Sequence, residues 1–230
     1  MKLSIIIPVL NEAENLIKLL PYLKEHPGKI SNEIIVVDGG STDNSANICL
    51  QNQVEYTQSK VGCRSSQMNL GAKYSEGEIL YFVHADTIPP STFVTDIIEN
   101  IALGYKMGCY RFQFESNKIL LKLNAYFTRF DKLWCRGGDQ TLFITKPLFE
   151  LYGGYRDDHS IMEEYEFIKR VKPNHSFIIM PKNVIVSARK YETNSYIRVK
   201  IANFLIFNMW KRNFPQAKLV ETYKKLLWYR

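Results

Sequence analysis

The stretch Ile34-Ile35-Val36-Val37-Asp38-Gly39-Gly40-Ser41-Thr42-Asp43 decides the fold of this chain. Four β-branched residues run straight into a carboxylate, two glycines and a set of helix-capping residues. A short continuous apolar run of this kind is a strand buried on both faces, as in a parallel sheet. The residues after Asp38 read as a turn and a helix start. The pattern recurs on either side. Residues 3–9 lead into Leu10-Asn11-Glu12, and residues 79–83 lead into His84-Ala85-Asp86-Thr87. Open α/β sheets bind ligands just outside the carboxyl ends of their strands. Acids at these strand ends therefore point to one nucleotide site built from several loops.

The segments between the strands fit helices. Asn11 is placed to cap the first, with Glu14 as its capping-box partner, and Pro27-Gly28 ends it. Ser41 or Thr42 caps a second helix through Leu50; residues 54–56 form a weak strand and residues 64–75 a third helix. Strands alternating with helices at this pace predict an α/β fold, a doubly wound, mainly parallel sheet with helices on both faces. The second half is less regular. Residues 108–115, 142–144, 177–180 and 184–186 are strand-like. Residues 118–134 carry a helical stripe at 119, 120, 123, 127, 130 and 134, Pro147 opens a helix that stops at Gly153-Gly154, and further helices are expected over 162–170 and 194–212. This organisation divides into a domain over 1–192, with its nucleotide-binding half at about 1–90, and a C-terminal helical appendage over 193–230.

The chain carries 30 Lys/Arg against 23 Asp/Glu, a net charge of +7. The excess is confined to the appendage: residues 187–230 hold ten basic and two acidic residues, and the first 186 residues net −1. Four scattered cysteines with no C-x-x-C pair argue against a zinc site and a disulfide scaffold and suit a reducing, cytoplasmic setting. The opening residues are too short an apolar run for a signal peptide, and no run approaches the ~20 apolar residues of a membrane span. A dinucleotide-binding oxidoreductase needs G-x-G-x-x-G after the first strand and a P-loop NTPase needs G-x-x-x-x-G-K-[ST]; neither motif is present. Only the basic, aromatic tail hints at nucleic acid, and we expect none as a partner.

The motifs in order are Ile7-Pro8-Val9-Leu10-Asn11-Glu12, Val37 to Asp43, Gly62-Cys63-Arg64 with Gln67-Met68-Asn69 and Gly71-Ala72, His84 to Thr87, Gly138-Asp139-Gln140 with Gly153-Gly154-Tyr155, Met162-Glu163-Glu164, and Ser187-Ala188-Arg189 with Glu192. Together they resemble the family-2 glycosyltransferases of GT-A fold, and within them a bacterial subgroup. The resemblance spans residues 3 to 192. It implies an inverting transfer of a sugar from a nucleoside-diphosphate sugar, most commonly a UDP sugar, to an acceptor hydroxyl, assisted by Mn²⁺ or Mg²⁺.

The same resemblance assigns residues. Asp38 binds the nucleobase and Glu12 lies by the ribose, with Pro8, Asn11 and Gly40 in the same two loops. Glu12 also reads simply as a first-turn acid that suits the helix dipole. Arg64 offers a guanidinium to a diphosphate or a base edge, and Gln67 sits near the base. His84-Ala85-Asp86 occupies the Asp-x-Asp position. Asp86 is the candidate metal ligand, and His84 either ligates the ion or only hydrogen-bonds. Alternation along an extended strand points the two side chains the same way. Asp139 lies in a polar loop that suits acceptor or sugar. Glu164 takes the general-base position, where the family usually has Asp; Glu163 is the other candidate. Arg189 is placed to meet phosphate oxygens. With His84 and Glu164 departing from the common pattern, a catalytically weak sugar-nucleotide-binding or scaffold protein of the same fold is the alternative reading.

The tail admits two readings. It carries nine aromatics, Tyr191, Tyr196, Phe204, Phe207, Trp210, Phe214, Tyr223, Trp228 and Tyr229, among its basic residues. Such a helix can lie at an anionic membrane surface and meet a lipid-linked acceptor. The stripe at 197, 201, 204 and 205 instead looks core-facing.

Overall fold

A computed structural model describes residues 1–227. Its eight strands form one sheet in the order β3-β2-β1-β4-β7-β6-β8-β5: β1 is Lys2–Val9, β2 Ser31–Asp38, β3 Glu55–Gln58, β4 Ile79–Phe82, β5 Thr87–Ile88, β6 Met107–Phe114, β7 Leu142–Thr145 and β8 Phe177–Val186. Strands β3, β2, β1 and β4 are mutually parallel, as are β6 and β8. β7 is antiparallel to β4 and β6, and β5 is antiparallel to β8. The expected neighbours, residues 3–9, 33–37 and 79–83, lie side by side. Central position explains their composition. Residues 3–9 are all buried because β1 is covered on both faces. Pro8 is tolerated there because β4 pairs only with residues 3–6. By strand parity, position 8 faces that vacated side, so its missing N–H breaks no ladder bond.

The helices divide between the faces. α1 (Ala13–Glu25), α2 (Ser45–Gln51) and α4 (Phe93–Ala102) share one core with Leu3, Ile5 and Ile7; α3 (Arg64–Tyr74), α6 (Lys146–Leu151) and α7 (Glu163–Val171) share the other with Ile6, Ile35 and Val37. α1 buries Leu16, Leu19, Leu20 and Leu23 on one stripe, roughly 1.5–3 kcal/mol of transfer free energy each. α3 lies so close to the sheet that a Cβ on Gly71 would come within 2.4 Å of Ile6 Cγ2.

Several local expectations are corrected. Asn11 does not cap α1; it has φ 56° and its Oδ1 accepts from Thr42 N at 2.8 Å. Nor does Ser41 or Thr42 cap α2, which starts at Ser45. Asp43 serves both helices, its Oδ2 accepting from Ala13 N at 2.9 Å and its Oδ1 from Ser45 N at 3.0 Å. Residues 177–180 and 184–186 are one strand with a register shift against β6 at Tyr110/Arg111. The helix expected over 118–134 is only α5, Ile119–Tyr126, succeeded by two single 3₁₀ turns. The buried Arg136 guanidinium takes the Thr128 and Phe130 carbonyls at 2.6 and 2.7 Å, removing them from any helical ladder.

The C-terminal part is α8 (Lys190–Thr193), α9 (Tyr196–Lys211) and α10 (Gln216–Leu226). The sequence pattern predicts one helix to residue 212 and gives no sign of α10. α9 presents Val199, Ala202, Ile206 and Trp210 inward. The stripe at 197, 201, 204 and 205 faces outward instead. α9 is apolar on two faces, so periodicity alone could not choose between them. Ile206, Trp210 and Leu219 pack with Leu133, Ile161, Met162 and Tyr165 and so join the tail to the body. Of the nine tail aromatics, Trp228 and Tyr229 lie outside the described residues.

Candidate active site

The carboxyl ends of β1, β2 and β4 meet at one edge, and the loops beyond them interlock. Asn11 N donates to Ser41 Oγ at 2.8 Å and Glu12 N to Ser45 Oγ at 3.3 Å. Asp38 is buried at the centre. Its Oδ1 accepts from Gly40 N, Ser41 N and Ser41 Oγ at 2.9, 2.8 and 2.7 Å, and its Oδ2 from the Tyr56 hydroxyl at 2.6 Å. Oδ2 keeps a second lone pair beside that hydroxyl. Gly40 has φ 102°, a conformation that glycine adopts without strain, and stays exposed. Gln67 is buried beneath this loop, its Nε2 donating to Val9 O at 2.7 Å and Val37 O at 2.8 Å. It ties β1 to β2, while Pro8 is buried in β1.

A group of charged side chains gathers beside these loops. Arg64, at the first position of α3, lies 3.3 Å from the Glu163 carboxylate. His84 Nε2 lies 3.2 Å from Glu164 Oε1, and His84 Nδ1 is 4.0 Å from Asp139. Arg189 lies 3.1 Å from Glu12. Asp86 feels the negative charges of Asp139 and Glu12 and the positive charges of His84 and Arg189. The chain turns at residues 85–86, after β4 has ended, so strand alternation does not relate His84 to Asp86 as expected.

The electrostatics result from this crowding. Burial raises the Asp86 carboxyl above its ordinary range, and the negative charges of Asp139 and Glu12 raise it further. Burial likewise raises Glu163, with Arg64 opposing and Glu164 adding to the shift. For His84, burial and Arg64 disfavour protonation, but the Glu164 contact and Asp139 win and its pKa is raised. An excess of carboxylates held at low solvation fits a cation. Among the described residues no three potential ligands are gathered as a ready cage. Asp86, partly buried in this group, could hold a divalent cation that takes its other ligands from phosphates and water.

Three of the five non-glycine residues at positive φ among the described residues lie here, the other two being Gln53 and Asn213. Asn11, Thr141 and Met162 are non-glycine residues at φ 56°, 61° and 66°. They sit respectively in the first loop, just after Asp139-Gln140, and directly before Glu163-Glu164. Left-handed residues of this kind cost of order 1–3 kcal/mol each and persist where surrounding structure fixes them, typically at sites.

A cavity of about 650 Å³ opens next to the charged group. Asp86, Asp139 and Arg189 line it; the other sequence-assigned residues lie outside its wall, on the loop side. Sequence reading missed Tyr165, Arg136 and Lys200 in that wall. No motif marks them, and their partners are distant in sequence. The Tyr56 bond to Asp38 was missed for the same reason.

The model of the glycosyl transferase family 2 matches residues 4–153, and the chain belongs to that family. Glycosyltransferase AglE of Haloferax volcanii is 36% identical over 94 residues, which cover 37% of this chain and 31% of that protein. Glycosyltransferase GlyG of Streptococcus pneumoniae serotype 4 is 27% identical over 105 residues, covering 43% and 35%. The chain thus matches about a third of the length of each of these relatives. Among solved structures, residues 1–349 of S. aureus TarS in complex with UDP-GlcNAc superimpose with a TM-score of 0.69 at 15% identity, covering 98% of this chain and 71% of that one. The Pyrobaculum calidifontis mannosyltransferase PcManGT, in complex with GDP-Man and Mn²⁺, gives 0.66 at 15% identity, covering 97% and 69%. Both likenesses establish the GT-A fold.

Proposed function

We propose that this chain transfers a sugar from a nucleoside-diphosphate sugar to an acceptor hydroxyl, with inversion at the anomeric carbon. One observation carries the reading: a buried carboxylate, Glu164, stands at the start of α7, 3.2 Å from His84 at the carboxyl edge of the sheet, in a fold whose solved neighbours include complexes with UDP-GlcNAc and GDP-Man. Glu164 removes the proton from the acceptor hydroxyl. The acceptor oxygen forms its bond to the anomeric carbon as the bond from that carbon to the diphosphate oxygen breaks, and the nucleoside diphosphate leaves. Arg64 and Arg189, both half exposed at the edge of the site, neutralise the departing charge. A divalent cation held by Asp86 would act there as a Lewis acid on the diphosphate. Asp38 and the loop it braces shape the base site, with Glu12 near the ribose and UDP the expected carrier. Glu164 lies 3.2 Å from His84 and is among the charges that raise the His84 pKa. Glu163, committed to Arg64, is the weaker candidate for base.

A panel of sugar nucleotides in a thermal-shift assay, with and without Mn²⁺, identifies the donor, because a ligand that binds the folded state raises its stability by mass action. With that donor, Glu164→Gln is expected to lower turnover ~10²–10⁴-fold while changing donor affinity little. A product that retains the anomeric configuration overturns the mechanism.

A further inference from the structure

Apolar side chains face solvent on α5, the turns after it, and α9, the elements that border the cavity. On one side α5 and the turns after it leave Ile119 82% and Trp134 58% exposed, with Leu123 and Phe127 also turned outward. On the other side α9 leaves Ile197 and Phe204 each 67% exposed and Ile201 51%. The two rims belong to one opening. Leu123, Phe127, Trp134 and Phe204 all line the cavity, and the Lys200 ammonium bridges from α9 to Asn124 Oδ1 on α5. Exposed apolar side chains grouped on two helices beside one cavity point to an interaction site.

Charge indicates what covers it. Residues 118–136 hold five Lys/Arg against one Asp, and residues 187–230 hold ten against two Glu, in a chain whose remainder is acidic. Lys118, Lys122, Arg129 and Lys132 are exposed around the α5 rim. Apolar and aromatic side chains set among basic ones are the composition of interfacial membrane-binding surfaces. A second copy of the chain seated here would bring two basic faces together and close the cavity mouth. No helix of the described residues is long and apolar enough to cross a membrane, so contact would be at the surface.

We infer that this face docks on an anionic lipid bilayer, its apolar side chains entering the interface and its lysines and arginines meeting head-group phosphates. The cavity then opens toward the lipid, and the acceptor is an amphiphile that enters from it. Entry of the acceptor rests on the sugar-transfer reading above; the docking does not. The test is co-sedimentation of the full chain at low salt with vesicles of equal parts phosphatidylcholine and phosphatidylglycerol, and with phosphatidylcholine alone. Binding is expected only to the anionic vesicles and is expected to weaken with salt. The triple variant I119S/I197S/I201S, outside the site and at exposed positions, should keep its melting temperature and donor binding yet partition at least ~10-fold more weakly. Failure of the unmodified chain to bind anionic vesicles, or unchanged partitioning of the variant, overturns the inference. So does a dimer in solution that the variant dissociates, which would make the face a subunit interface. Absence of any sugar-nucleotide binding, measured in the same preparations, would instead overturn the transfer reading alone.

Discussion

At Asp86 the balance of charge carries the functional argument. A carboxyl raised by burial and by two acidic neighbours is unfavourable in isolation, and a bound cation relieves it. Asp86→Asn is expected to abolish the Mn²⁺-dependent part of donor affinity in titration calorimetry and to leave the melting temperature of the free protein unchanged or higher. Retained Mn²⁺ dependence would place the ion elsewhere. Identity was legible in the sequence at this scale, but orientation was not. Asp38 and Glu12 stand at strand ends, Arg64 opens α3 and Glu164 stands in the first turn of α7, as the sequence pattern predicts. Yet Gln67 spends its amide on two backbone carbonyls and Asp38 engages both oxygens within the protein. A motif records which residue stands at a position, while hydrogen-bond direction depends on neighbours such as Tyr56, eighteen residues away.

Within the elements, two carboxylates hold strands and helices to one another. Asp43 accepts from the starts of both α1 and α2. Asp43→Ala should therefore cost more than one ordinary cap, about 1–2 kcal/mol, read from urea unfolding. Glu33 is nearly buried at the start of β2 and accepts from Ser4 Oγ on β1 and from the amides of Glu76 and Gly77 before β4, with Lys2 alongside. Burial alone would raise its pKa, but these donors and the lysine win and hold it below the ordinary value. A depressed carboxyl contributes stability above its unfolded pKa, about 4.3, and loses it as pH falls through the lower native value. The destabilisation caused by Glu33→Gln should then be largest near neutrality and shrink progressively below pH ~4. A penalty independent of pH would show that packing, not charge, is what the residue supplies.

For the whole molecule, the orientation of α9 decides which surface the protein shows. Ile206 is buried between α10 and α7 and Ile201 faces outward on the same helix. Ile206→Ala should cost about 2–5 kcal/mol, whereas Ile201→Ser should stay within ~0.5 kcal/mol, both by equilibrium unfolding. The reverse ranking would mean that the helix is turned the other way, and the apolar rim around the cavity would disappear with it. The same packing sets the site, because Trp210 and Leu219 press on Met162 and Tyr165, which flank Glu163 and Glu164.

The parallel half of the sheet, the positions of the acids at its strand ends and the family could be read from the amino-acid order alone. There the relevant physics is local: β-branched runs with no polar face must be central strands, and residues such as Asp38-Gly39-Gly40-Ser41 can only turn. The tertiary structure decided what depends on distant partners. It ended the expected helix at residue 126 and gave the Thr128 and Phe130 carbonyls beyond it to Arg136, and it passed the helix cap from Asn11 to Asp43. It turned the 197/201/204/205 stripe to solvent because Ala202 and Ile206 lie on the opposite face, where a small side chain and a complementary one meet α10 and the body. A helix with two apolar faces leaves that choice open until its neighbours are in place.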